Sequence, residues 1–188
     1  MQIKDLKKSN DGFSLIELLV VVAIMAVLMV GALITWHSVS SANVNKASSY
    51  MEDALTECKN RAMTTSAYKW SVVLDGSKVQ VIKYVEGDSG ITQEVILTQE
   101  LPKNVYYIVT ASNGSVSSTF GASSSGSSSI TINFKLLSGG VSSVYFNNDE
   151  IYPNGGSSTY TYLDITSQYQ KKGDTIRLYF ETGKVVEQ

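Results

Sequence analysis

The spacing of apolar positions changes twice along the chain, and each change marks a new kind of element. From Phe13 to Trp36 the run is almost wholly apolar and carries one charge, Glu17. Its stretch from Leu18 to Ile34 is long enough, at about 1.5 Å per residue, to cross most of a bilayer core of about 30 Å. Beyond Trp36 the hydrophobicity falls but a helical rhythm persists: Val39, Ala47, Met51, Leu55 or Ala54, Cys58 and Ala62 recur at three- and four-residue steps. Asn43, Lys46, Glu52, Asp53, Lys59 and Asn60 fall on the other side. The pattern predicts one helix from about Phe13 to about Thr65, with an apolar half and an amphipathic half.

From Tyr68 the period becomes two, the signature of strands with one buried face. Lys69 to Leu74 and Lys78 to Val85 flank Asp75-Gly76, a pair suited to a type I′ hairpin turn. Further strands are expected at Ile91 to Thr98 and, after a break at Leu101-Pro102-Lys103-Asn104, at Val105 to Thr110. Ser112 to Ser129 is nearly all Ser, Gly, Ala, Thr and Asn, too poor in apolar surface to offset its ordering entropy, and is expected to be a surface loop. Ile130, Ile132, Phe134 and Leu136 then share one face, and Ser138-Gly139-Gly140 turns the chain into Val141 to Phe146. Asn147 to Gly156 is expected to be a polar loop. Strands at Thr159 to Thr166, Thr175 to Phe180 and Lys184 to Glu187 close the chain as a meander.

Composition adds limits. The 188 residues hold a formal charge of −2, with no broad basic footprint for nucleic acid. Cys58 is the sole cysteine, so no internal disulfide exists, and its place on the apolar stripe points to burial. His37, the one histidine, sits beside Trp36 at the edge of the apolar run, a comfortable interfacial place. Glu52, Asp53 and Glu57 fall away from the stripe as a solvated face, and Asn147, Asn148, Asp149 and Glu150 lack the alternating spacing of a calcium loop. No zinc spacing or phosphate loop is present, so no catalytic residue, cofactor or metal is expected.

Glu17 is the informative residue. A carboxylate inside an apolar helix is costly by about 2.5 kcal/mol or more when unpaired, so it asks for a cation from outside its own helix. Upstream, Lys4, Lys7 and Lys8 stand against Asp5 and Asp11 in a short polar segment whose positive flank favours the cytoplasmic side. A conventional signal ending at Ser40-Ser41-Ala42, or a plain anchor, leaves Gly12-Phe13 and Glu17 unexplained. Gly12-Phe13, Glu17 and the apolar run together resemble the type IV pilin and pseudopilin superfamily. That resemblance implies cleavage after Gly12 by prepilin peptidase, N-methylation of Phe13, and pairing of Glu17 with the Phe13 amine of a neighbouring subunit. Removal of the leader, with its three lysines and two aspartates, leaves a formal charge of −3.

The C-terminal part resembles the GspH/FimT minor-pilin family in Leu101-Pro102 before a valine strand, in Val144-Tyr145-Phe146-Asn147-Asn148-Asp149, and in Ile176 to Val185 with Thr182-Gly183-Lys184. Arg61-Ala62 fits its helix end, while Glu150 stands where a glycine is expected. The resemblance implies an α+β, pilin-like fold: a long N-terminal helix packed on a β-rich domain of two antiparallel sheets, one against the helix. The expected organisation is a leader at 1–12, a transmembrane half at 13–36, an amphipathic half at 37–66 and the β-rich domain at 67–188. The expected role is a structural minor pilin or pseudopilin of a pilus, a type II secretion pseudopilus or a competence pseudopilus. Implied partners are prepilin peptidase, other pilin subunits, an assembly platform protein, and membrane lipid before assembly. The chain would be single-pass in the cytoplasmic membrane with its C-terminal domain outside the cytoplasm. Two rivals remain. FimT-like DNA binding would use Lys171, Lys172, Arg177 and Lys184, a sparse basic set with Glu181 and Glu187 among it, which weighs against nucleic acid. A surface adhesin would use the outward patch Tyr160, Tyr162, Arg177 and Tyr179 that strand alternation assigns to one face.

Overall fold

A computed structural model describes residues 14–112, 117–121, 128–152 and 160–188, with the side chains of 30–37 and 121 outside the description. Helix α1 runs Leu15–Thr64. The chain divides into two compact units, Met1–Val39 and Ser40–Gln188. In the first, the described large apolar side chains from Leu15 to Met29 are exposed. Among the described residues no helix is long and apolar enough to cross a membrane.

The second unit holds the rest of α1 and the strands: β1 (Lys69–Asp75), β2 (Lys78–Gly87), β3 (Gly90–Glu100), β4 (Tyr106–Ala111), β5 (Ser117–Gly121), β6 (Ser129–Phe134), β7 (Val141–Phe146), β8 (Asp149–Tyr152), β9 (Tyr162–Tyr169), β10 (Lys172–Tyr179) and β11 (Val185–Glu187). They form a six-stranded sheet, β3-β2-β1-β6-β7-β8, and a five-stranded sheet, β11-β10-β9-β4-β5, with antiparallel pairing throughout. Alternation supplies the core: Trp70, Val72 and Leu74 in β1, Ile130, Ile132 and Phe134 in β6, Tyr107 and Val109 in β4, and Leu163 and Ile165 in β9 are buried. Phe120 of β5 stacks on Phe146 of β7 at 6.0 Å between ring centroids, joining the two sheets.

The amphipathic half of α1 closes this core. Ala47, Met51, Ala54, Leu55, Cys58 and Ala62 are buried in the same cluster as both sheets. Val39, expected on the stripe, is exposed, and Val44 is buried in its place. The helix is held by both sheets, where the resemblance implied one. Tyr107 Oη donates to the Ala47 carbonyl at 2.6 Å and Ser167 Oγ to that of Val44 at 3.2 Å, both from the five-stranded sheet. Near the other end, Arg61 lies over the ring of Trp70 in the six-stranded sheet, 5.8 Å from its centroid. The Leu137 N–H donates to the Ala62 carbonyl at 3.0 Å, satisfying one of the acceptors that every helix leaves open in its last turn.

Several expected boundaries move. The first hairpin pairs Asp75 with Lys78, so its turn is Gly76-Ser77. Only Gly76 has a positive φ (+56°), the pattern of a type II′ turn with glycine first, where Asp75-Gly76 suggested type I′. The serine-rich stretch contains β5, anchored by fully buried Phe120. The polar stretch after Phe146 contains β8. Asn147 and Asn148 both have positive φ, a type I′ arrangement that asparagine tolerates, and Phe146 pairs with Asp149 across it. The last long hairpin is tighter than expected, with Tyr169 opposite Lys172. Leu136 lies past the end of β6 and is exposed.

Candidate assembly site

Gly12 and Phe13 lie outside the described residues. Beginning at Ser14, the helix start is built from a reciprocal pair. The Glu17 N–H donates to Ser14 Oγ at 3.2 Å, and the Ser14 N–H donates to Glu17 Oε2 at 2.9 Å. The Leu18 N–H donates to the Ser14 carbonyl at 3.2 Å. This is a capping box, in which serine at the cap and glutamate three residues on satisfy two donors that a helix start leaves open. Its sequence signal, Ser14-Leu15-Ile16-Glu17, was legible and is absent from a reading that treats Glu17 only as a charge in search of an external cation. Glu17 therefore has a partner in its own helix. The box accounts for Oε2, and it fixes the carboxylate beside the amide that joins residue 14 to residue 13. A negative group in the first turn is also favoured by the helix dipole.

The tyrosine-arginine patch assembles in part. Arg177 Nε and Nη2 donate to the two carboxylate oxygens of Asp164 at 2.7 and 2.9 Å, and the guanidinium lies over the Tyr162 ring, 3.9 Å from its centroid. Tyr179 meets Tyr162 at 6.0 Å between centroids. The register explains the cluster, since Arg177 is opposite Asp164 and Tyr179 opposite Tyr162. The hydrogen bond to Asp164 holds the guanidinium well above its ordinary pKa. Tyr160 precedes β9 and packs against the core. Asp164 is the member that sequence reading missed, although alternation from Tyr162 places it on this face.

The remaining candidates stay apart. Cys58 is fully buried; desolvation, and secondarily the Glu57 charge, push its thiol far above the usual range, so it is a packed side chain without thiolate character. Asn147 Oδ1 accepts the Ser129 N–H at 2.8 Å, and Glu150 accepts the Tyr145 hydroxyl at 3.3 Å, so two of the four calcium candidates serve the hairpin. Among the described residues no group of His, Cys, Asp or Glu side chains is arranged to hold a metal.

Comparison with known proteins bears on the helix start. Residues 7–33 match the prokaryotic N-terminal methylation motif. The matched segment encloses Gly12, Phe13, the capping box and the exposed apolar stretch, and it supports a type IV pilin-type N-terminus. Such a motif implies processing by prepilin peptidase and assembly with other pilin subunits. No curated protein and no solved structure matches the chain.

Proposed function

We propose that the chain is a structural minor pilin or pseudopilin of a type IV filament machine, of the GspH/FimT kind, and acts by assembly without catalysis. The observation that carries this reading is the match to the methylation motif at residues 7–33, a segment that includes the sequence Gly12-Phe13 and the capping box at Ser14 and Glu17. The exposed apolar side chains from Leu15 to Met29 need a nonaqueous environment, and lipid before assembly followed by other subunits' helices within a filament provides one. Residues 13–36 form the membrane half in this reading, and the β-rich domain stands outside the cytoplasm. The Glu17 carboxylate, held at the first turn, meets a neighbouring subunit's Phe13 amine. A compact α+β unit with the amphipathic helix half in its core suits a subunit displayed on a filament.

DNA uptake is less well supported. Of the four basic residues near the C-terminus, Arg177 is engaged by Asp164 and Lys172 Nζ donates to Ser41 Oγ. The adhesin reading is weakened because Tyr160 packs against the core and the charge of Arg177 is already paired with Asp164.

Processing tests the proposal. Mass spectrometry of the membrane fraction should show an N-terminus at methylated Phe13, and Gly12→Val should accumulate as the full-length chain. An intact Met1 in the wild type, or a start at Asn43, overturns it.

A further inference from the structure

Among the described residues the two sheets end in four edges, and three of them are short: β5, β8 and β11 have 5, 4 and 3 residues. The fourth, β3, has 11 residues, is bonded among the described residues only to β2, and contains no proline; its charges are Glu94 and Glu100, and its one bulge, at Ile96, leaves Gly90–Val95 as a regular open edge. Natural sheets blunt long open edges with such features or cover them, because a row of unpaired N–H and C=O groups recruits another strand. On β3 no described group bonds the outer edge. Ile91 is 54% exposed and Val95 49% exposed.

Beside this edge, between α1 and β3, lies a groove of about 470 Å³ lined by Asp53, Glu57, Arg61, Ile96, Leu97 and Gln99. Its one cation is already engaged: Arg61 Nε is 2.6 Å from Glu57 Oε1 and the guanidinium covers Trp70. Gln99 Oε1 is buried without a donor among the described residues. The groove thus offers a carboxylate from Asp53, and β3 itself adds Glu94, while Glu100 is already paired with Lys78, 3.7 Å from its Nζ. A register shift places Ile96 as an extra residue, so that the strand turns there and brings Ile96, Leu97 and Gln99 all onto the groove.

We infer that β3 is a docking edge for an extended segment of a partner protein that carries a lysine or arginine. The segment adds a strand along Gly90–Val95, sets apolar side chains beside Ile91 and Val95, and places its cation past Ile96 into the groove, against the exposed Asp53 carboxylate. Main-chain bonds supply affinity and the cation supplies specificity, the usual division in strand addition. A second copy of β3 is a poor occupant, because it brings Glu94 and has no cation of its own to meet Asp53. The inference goes beyond the filament reading and does not rest on the N-terminal motif.

The test uses the full chain in detergent micelles and ten-residue peptides of alternating threonine and valine. One peptide carries a single arginine, a second carries glutamate in its place, and a third is the arginine peptide interrupted by proline. The arginine peptide should bind and slow hydrogen exchange at Gly90–Val95, the proline version should do neither, and the glutamate version should bind about tenfold more weakly. Asp53 is exposed, so Asp53→Lys should fold normally and erase the preference for arginine. The inference fails if no peptide protects β3, if the proline peptide binds as well, or if the arginine preference survives Asp53→Lys. Protection of β3 without peptide in a chain that elutes as a dimer also overturns it, by assigning the edge to a second copy.

Discussion

At the scale of single residues, Glu17 closes the capping box, and in the proposed assembly it also pairs with a neighbour's amine; different substitutions separate the two. Glutamine keeps the Ser-x-x-Gln form of the capping box and removes the charge; leucine removes both. Glu17→Gln should leave the helix start intact and the protein processed and membrane-resident, yet missing from sheared filaments, because the neighbour's amine loses its counter-charge. Glu17→Leu should add loss of the cap, an effect of about 0.5–2 kcal/mol on helix formation. Recovery of Glu17→Gln in filaments at the wild-type level rejects charge pairing and leaves the cap as the residue's role. Cys58 and Tyr107 make a second prediction. Burial raises both acids above their ordinary values, so at alkaline pH the unfolded chain releases protons that the folded chain retains. The stability due to these groups is therefore complete below about pH 8.5, where an unfolded thiol begins to ionise, and falls as pH rises further. Denaturant midpoints should decline above that pH in the wild type and decline less in Cys58→Ala. Equal alkaline slopes for the two proteins would show that the thiol does not contribute.

At the scale of elements, the tightest constraint is the contact between the loop after β6 and the turn after β10. A Cβ on Gly183 would lie 2.0 Å from the Gly139 carbonyl oxygen, and φ there is +59°. At Gly76 φ is similar, +56°, but a Cβ meets nothing within 4 Å. Gly76→Ala should therefore lower stability by the left-handed penalty of about 1–2 kcal/mol, and Gly183→Ala by clearly more, since backbone must move as well. Similar thermal shifts for the two variants would refute the close approach. These loops also show what was legible beforehand. Strands with alternating apolar residues, such as Ile130, Ile132 and Phe134, announce themselves, and so does the amphipathic stripe of α1. Strand β5 does not, because Phe120 is its only large apolar residue and its other contribution is backbone pairing to β4, which leaves no trace in composition. The Asn147-Asn148 turn did leave one, a pair of asparagines directly after Phe146, but Asp149 and Glu150 behind it made the segment resemble a polar loop. In the candidate site, Glu17 and Gly12-Phe13 stood out as residues, whereas the Arg177-Asp164 pair depended on a strand register set by the position of the turn at Gln170.

At the scale of the whole molecule, the Ser40–Gln188 unit has one core to which the helix and both sheets contribute, and this predicts how it fails. Met51 is fully buried within that core, while Asp53, two residues on, is exposed. An unpaired carboxylate at position 51 costs several kcal/mol, comparable with the 5–15 kcal/mol that holds a typical domain together. If the helix were an accessory laid on a β-sandwich stable by itself, Met51→Asp would release the helix and leave the sheets. The structure argues otherwise. Tyr107 and Ser167 of the five-stranded sheet bond to helix carbonyls, Leu137 bonds to the helix end, and Arg61 covers Trp70 of the six-stranded sheet. Loss of the helix uncovers apolar surface on both sheets at once. In a Ser40–Gln188 fragment, Met51→Asp should abolish the β-sheet circular dichroism signal and the thermal transition together, while Asp53→Ala should shift stability by no more than about 0.5 kcal/mol. A Met51→Asp fragment that retains its sheet signal and melts at the wild-type temperature would mean that the sheets carry their own core, and that the helix is bound to the domain without being part of it.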